Sequence, residues 1–345
     1  MASPSLQAEA RAAFAAYNQT HWRDMPGASS TPSAVCHGAF VSLLSGDRYV
    51  AGAFCLHRSL VALGSACPLV LVYDDRFAER APSNASLRLL VRTFGPENLV
   101  PITSLFSQLP GISHRVRTNF SVWREFRFEQ RRPLPAPTAV SPRRSRRVPA
   151  TAGRRLYAMT FGAELYATHL KLWLWALPAA QYPRIVLLDL DMVVTANLDF
   201  LLSSSRALSA SSVAAVLGCQ GAFNSGLMIA RPSLSDLGKL LGVLKHAAHL
   251  KRACEVKPGD QSILNHYFRH RWEPLPVSIA TKWKGKTGAT WNKYDPAILH
   301  FSSEPKPWDL VAKGTEMQGL WAHGFGCRTQ QEIERAASSE ASLNT

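Results

Sequence analysis

The sequence has no Cys-x-x-Cys pair, and none of its six cysteines stands at a zinc-type spacing from a histidine. That excludes a zinc ribbon and a dithiol redox motif. Cys36, Cys55, Cys67, Cys219, Cys254 and Cys327 read instead as scattered core or surface thiols of a reducing compartment. Three Asn-x-Ser/Thr triplets, at Asn18, Asn84 and Asn119, point the other way, but such triplets are common by chance. No apolar run is long enough to cross a bilayer, since "LVALGSACPLVLVY" is broken by Gly64, Ser65 and Pro68. The N-terminus shows no basic region followed by an apolar block, so no secretory signal is visible. A cytoplasmic protein is expected, with the Golgi lumen or another organelle left open for a trimmed chain. No internal repeat is present, which excludes a solenoid or propeller.

The chain does have a 46% apolar fraction over 345 residues, enough for one large domain or two small ones. Its formal charge is +15, which calls for an anionic partner such as nucleic acid, a membrane surface or a phosphorylated small molecule. The charge is clustered. Residues 131–155 hold eight Arg, five Pro and no acid. Such a segment cannot bury enough apolar area to offset its ordering entropy and reads as a disordered insertion. The alternative is an arm that binds polyanions or carries a targeting signal.

Residues 1–34 read as an N-terminal extension that drifts into the linker "MPGASSTPS". One globular domain is expected over 35–330, followed by a polar tail at 331–345. "GAFVSLLS" predicts a strand, "RYVAGAFCLHRSLVAL" a helix, and "PLVLVYDD" a second strand. "SLRLLVRTFG" and "ENLVPI" repeat the pair, a rhythm of parallel βαβ units. Beyond the insertion, "LYAMTFGAELYATHLKLWLWAL" predicts a helix with an aromatic face. "VAAVLG", "FNSGLMIA" and "AILHF" predict strands; "SLSDLGKLLGVLKHAAHL" and "DQSILNHYF" predict helices. The fold class is α/β, with a mostly parallel sheet flanked by helices.

"YPRIVLLDLDMVV" runs a buried strand into Asp189 and Asp191. Ligands of parallel sheets sit outside the carboxyl ends of the strands. Two residues apart, the carboxylates face one way in an extended chain and repel unless a cation lies between them. A hard divalent metal answers this, and an added imidazole tilts Mg²⁺ toward Mn²⁺. Either acid could instead start a turn or cap the next helix. Downstream, His300 ends a strand and Lys306 follows beside Pro307 and Trp308. Asn224, Ser225 and Gly226 precede an apolar strand, and Asp260 and Gln261 open a helix. Singly each has a structural explanation. Together they supply a metal site, a phosphate-binding lysine and polar groups for a polyhydroxylated ligand.

Six segments, "FVSLLSGDRYVAGA", "THLKLWLW", "LDLDMVV", "FNSGLMIARPS", "GDQSILN" and "HFSSEPKPW", stand in the order of the glycogenin-type retaining glycosyltransferases, family 8. The sequence resembles that family from about Ala39 to Trp308. The resemblance implies a single GT-A-type nucleotide-sugar-binding domain with a Rossmann-like sheet. It implies Mn²⁺ on Asp189, Asp191 and His300, with Mg²⁺ as the second choice, bridging the phosphates of a UDP-sugar. Lys306 would contact the pyrophosphate; Leu43, Ser45 and Tyr49 would line the uridine pocket. Asn224 and Ser225 would face the donor sugar, with Asp260 and Gln261 beside the anomeric carbon. UDP-glucose or UDP-galactose is the expected donor, with UDP-glucuronate as the alternative. The acceptor is a separate hydroxyl on a sugar, polyol, lipid headgroup or protein. A nucleic-acid partner is not expected, and a homodimer is allowed for.

The chain departs from the family pattern in places. His169 stands where the family lysine of the helix before the metal strand is expected, with Lys171 two residues on. Either His169 makes donor binding pH-dependent or Lys171 substitutes. Ser303 or a neighbour replaces a glycine of the His–Lys segment, and Lys257 replaces an acid. No Tyr lies between Phe268 and Lys293, so self-glucosylation at the glycogenin position is not expected. A rival from another class is a non-catalytic, polyanion-binding protein on a transferase fold.

Overall fold

The computed structural model describes residues 21–28, 36–75, 81–108, 168–203, 208, 212–218, 221–244, 250, 259–282, 295–309, 315–329, 331–333 and 335. The Arg/Pro-rich insertion, Lys257, and the sequons at Asn18 and Asn119 lie outside them.

A seven-stranded sheet carries the fold, in the order β3-β2-β1-β4-β7-β6-β8. Strands β1 (Ala39–Leu44), β2 (Leu69–Tyr73), β3 (Leu99–Pro101) and β4 (Ile185–Leu188) pair in parallel. Antiparallel β7 (Phe223–Ala230) follows β4, and β6 (Val213–Leu217) lies between β7 and a parallel β8 (Trp272–Leu275). Strands β1, β2, β4, β6 and β7 are largely buried on both faces, as expected where helices cover both faces of a sheet. Val50–Ala62 (α1) and Asn84–Phe94 (α2) are the helices of the two early βαβ units. Ile102–Phe106 (α3) follows β3, and Leu234–Leu244 (α4) and Asp260–Tyr267 (α5) cover the other half. Ser233 Oγ accepts the Asp236 N–H at 3.1 Å and so starts α4.

A second sheet of three short strands has the order β5-β10-β9: Met192–Val194, Ile298–His300 and Ala280–Lys282. Its antiparallel register sets His300 opposite Met192, and the Phe301 N–H bonds the Asp191 carbonyl at 2.8 Å. This pairing is what carries His300 across the chain to the acids.

Three features differ from the sequence expectation. Leu170–Ala176 is a 3₁₀ helix rather than an α-helix, and all seven of its residues are buried. A segment enclosed on every side has no solvent face to set a 3.6-residue period, and the narrower 3₁₀ coil packs between α4 and the sheet. Trp22 and Met25, within the stretch read as extension and linker, are buried in the main core, and the Trp22 N–H bonds Ser278 Oγ at 2.9 Å. Finally, the thiol reading is corrected for four of the six cysteines, while Cys219 and Cys254 lie outside the described residues. Cys36 is joined to Cys67 and Cys55 to Cys327 by disulfides, across sequence separations of 31 and 272 residues. No spacing rule reveals pairs so far apart; the fold brings their Cα atoms to 5.2 and 5.1 Å.

Candidate active site

The site sits at the carboxyl ends of β1 and β4, where the sheet changes from parallel to antiparallel pairing. Strand β4 ends at Leu188, and Asp189 continues its ladder with an N–H bond to the Gly226 carbonyl at 2.9 Å. Asp191 lies at the start of β5, beside His300. The two acids therefore hang between the large and the small sheet.

Each acid gives one oxygen to a lysine. Lys171 Nζ donates to Asp189 Oδ1 at 2.7 Å, and Lys306 Nζ to Asp191 Oδ2 at 2.7 Å. The remaining atoms face one another. His300 Nε2 is 3.1 Å from Asp191 Oδ1 and 3.9 Å from Asp189 Oδ2. Apart from this approach by His300, Asp191 Oδ1 is buried without a hydrogen-bond partner. A buried carboxylate oxygen left this way is costly unless a cation meets it. Adjacent ligands of an octahedral ion bound at about 2.1 Å stand about 3 Å apart, which is the spacing of His300 Nε2 and Asp191 Oδ1, while Asp189 Oδ2 lies wider, 3.9 Å from His300 Nε2. One imidazole with two carboxylates is a donor set for Mn²⁺ or a similar ion.

Charge follows from the same contacts. Burial alone would raise the Asp191 carboxyl, but His300 and Lys306 outweigh it and hold it well below the usual carboxylate range. Burial would likewise depress Lys171, yet Asp189 and Asp260 raise it. Lys306 is raised by Asp191 in the same way. Three carboxylates thus face two ammonium groups, an imbalance that a divalent cation reverses and a diphosphate then offsets.

Gly226 lies against this cluster. A Cβ there would stand 2.7 Å from His300 Cε1 and 2.8 Å from Asp189 Oδ2. Gly226→Ala is therefore expected to push these ligands apart and weaken divalent-ion binding by about 10–100-fold. Titration of Mn²⁺ into both proteins checks it; equal affinities would contradict the arrangement.

The other candidates gather around the acids. Asp260 is buried at the start of α5, 3.1 Å from Lys171 Nζ. It is driven below its ordinary value, since Lys171 and a Ser225 hydrogen bond outweigh burial. Gln261 Oε1 accepts from Asn224 Nδ2 at 3.1 Å and from the Ser225 N–H at 3.3 Å, which joins α5 to β7. Leu43 and Ser45 lie half-buried at the end of β1. Tyr49 packs edge-on against Trp308, 5.9 Å between centroids, and burial pushes its hydroxyl up to about 12. His169 is buried near enough to Asp260 to help depress it. Lys171 makes ion pairs with Asp189 and Asp260.

Sequence reasoning passed over one further link. Arg48 Nη2 bonds Glu304 at 2.6 Å and Asp309 at 2.9 Å, and Asp309 Oδ2 also accepts the Lys306 N–H at 2.9 Å. Arg48 thereby ties the loop after β1 to the loop that bears Lys306. The only hint was its place beside Tyr49.

The mixed α/β sheet with its flanking helices is a fold of the GT-A type. A bifunctional glycosyltransferase, WbbM, shares the fold with a TM-score of 0.52 and 16% identity, over 89% of this chain and 53% of its own. Residues 160–312 match the family model for glycosyl transferase family 8. Among similar curated proteins, one of Arabidopsis thaliana named as UDP-glucuronate:xylan alpha-glucuronosyltransferase 3 is 30% identical over 154 residues, 40% of this chain and 22% of its own. Glycogenin-1 of Oryctolagus cuniculus is 28% identical over 158 residues, 43% of this chain and 44% of its own. The chain spans less than half the length of these relatives. Among the described residues, no helix is long and apolar enough to cross a membrane.

Proposed function

We propose that the chain is a divalent-metal-dependent retaining glycosyltransferase that moves a hexosyl group from a UDP-sugar to a separate hydroxyl acceptor. The observation that carries this is the convergence of one free atom each from Asp189, Asp191 and His300 within 4.8 Å of one another. Bound there, a divalent ion such as Mn²⁺ would supply positive charge to a diphosphate as its bond to the sugar breaks.

The chain's own groups account for the rest. Lys306, held by Asp191 and by the Phe301 carbonyl, stands ready as a second cation for the departing phosphates. Its loop is pinned through Asp309 to Arg48. Asn224, Ser225 and Gln261 form one hydrogen-bonded unit suited to sugar hydroxyls. Asp260 stays ionised beside Lys171 and is placed to oppose positive charge that builds on the sugar ring. The C1–O bond to the diphosphate breaks, and the acceptor oxygen bonds to C1 as its proton leaves. The lack of Tyr between Phe268 and Lys293 supports an acceptor outside the chain.

The test is a panel of UDP-sugars with Mn²⁺, scored for slow donor hydrolysis without acceptor. One donor, UDP-glucose or UDP-galactose, is expected to be turned over, and EDTA to abolish the reaction. Turnover of UDP-glucuronate alone would transfer the assignment to that donor. No UDP release from any donor, with heparin bound instead, would favour the polyanion-binding reading.

A further inference from the structure

Two observations unconnected with the transferase site concern where this chain matures. The first is the pair of disulfides. Cys36–Cys67 links the entry to β1 with the turn before β2, and Cys55–Cys327 anchors the C-terminal segment to α1. Cys55, Cys67 and Cys327 are buried in the main core, so these are bonds built into the packing rather than surface thiols close by chance. Forming each bond removes two electrons and two protons from two thiols and needs a thiol–disulfide oxidant. Secretory compartments hold one; the cytosol of most organisms opposes it.

The second is the triplet Asn84-Ala85-Ser86. Asn84 is exposed, and its side chain makes no hydrogen bond among the described residues. Ser83, not Asn84, caps helix α2, accepting the Ser86 N–H at 3.2 Å. The cap of α2 therefore does not depend on the carboxamide of Asn84, which is exposed at the first turn of the helix. Ser86 is different: it is buried, and Ser83 Oγ bonds its hydroxyl at 3.1 Å. A transferase that needs this hydroxyl must read the triplet before the helix docks, which is the condition met by a chain emerging into a secretory lumen.

We propose that Asn84 is an N-glycosylation site of a chain that folds in an oxidising lumen. The donor class is a polyprenyl-diphosphate-linked oligosaccharide. Its C1–O bond to the diphosphate breaks, C1 bonds to Asn84 Nδ2, the nitrogen gives up one proton, and the polyprenyl diphosphate leaves. The first requirement, that the glycan not clash with the fold, is met by the exposure of Asn84. The second, that the compartment form disulfides, is met by the two cysteine pairs.

The experiment directs the full chain, behind a supplied leader, into the secretory pathway of a eukaryotic host. Peptides are mapped without reductant before and after treatment with peptide N-glycosidase. Most of the secreted chain is expected to carry a glycan on the peptide spanning residues 81–88, with release of the glycan leaving aspartate at position 84. Cys36–Cys67 and Cys55–Cys327 should be found linked in the same sample. Asn84→Gln should remove that glycan and keep both links, and Ser86→Thr should retain it. Secreted chain with both disulfides formed and Asn84 unmodified would overturn the site. Free thiols at those four cysteines in the secreted chain would overturn the lumenal reading.

Discussion

Asp191→Ala is expected to lower donor turnover by about 10³-fold or more, with most of the loss in kcat. The substitution removes two separate things. Asp191 Oδ1 faces His300 Nε2 at 3.1 Å and is one of three atoms that would hold the metal. Asp191 Oδ2 positions Lys306 at 2.7 Å. Without it the buried ammonium keeps, among the described residues, the Phe301 carbonyl at 3.3 Å and the half-exposed Glu304 at 3.8 Å. Asp191→Asn preserves shape while removing charge, so it separates catalysis from packing. Its turnover should fall nearly as far, and its thermal unfolding should change less. Turnover within tenfold of the parent for either variant would refute the assignment.

Lys171→Met is expected to destabilise the fold by about 3–5 kcal/mol, because it strands buried carboxyl charge. Lys171 Nζ lies between Asp189 and Asp260, at 2.7 and 3.1 Å, inside the wholly buried 3₁₀ segment. The pH dependence identifies the cause. Asp260 is lowered from 3.8, so its contribution is complete above that value and is lost as the pH falls through it toward the folded value. Lys171 is raised from 10.5, so its contribution is complete below that value and is lost as the pH rises through the folded value. The gap between parent and variant in urea unfolding should be widest from about pH 5 to 9 and narrow in acid. A gap that stays the same down to pH 3 would show that lost packing, not stranded charge, is responsible.

The parts of the fold that were legible in the sequence are those written in local pattern. "AFVSLL", "LVLVY" and "IVLL" are short apolar runs ended by turn residues or acids, and each is a sheet strand. The acids and His300 were legible because each stands at the end of such a run. The means by which they meet was not. It depends on β10 pairing with β5 across more than a hundred residues, and nothing near Met192 or His300 announces a partner. Lys171 shows a different limit. Its neighbours Leu170, Leu172 and Trp173 mark a buried helix, where an ammonium group looks out of place. Only the positions of Asp189 and Asp260 explain its burial. Arg48 reads as an ordinary surface cation until Glu304 and Asp309 are placed beside it. The cysteines are the plainest case, since loop closure over 272 residues leaves no trace in spacing.

Calorimetric titration of UDP into the protein, with Mn²⁺ and then with EDTA, probes the metal cluster without depending on the identity of donor sugar or acceptor. UDP is expected to bind at least about 100-fold more tightly with Mn²⁺, and His300→Ala to erase most of that difference. Equal UDP affinity with and without the ion would contradict a metal held by Asp189, Asp191 and His300.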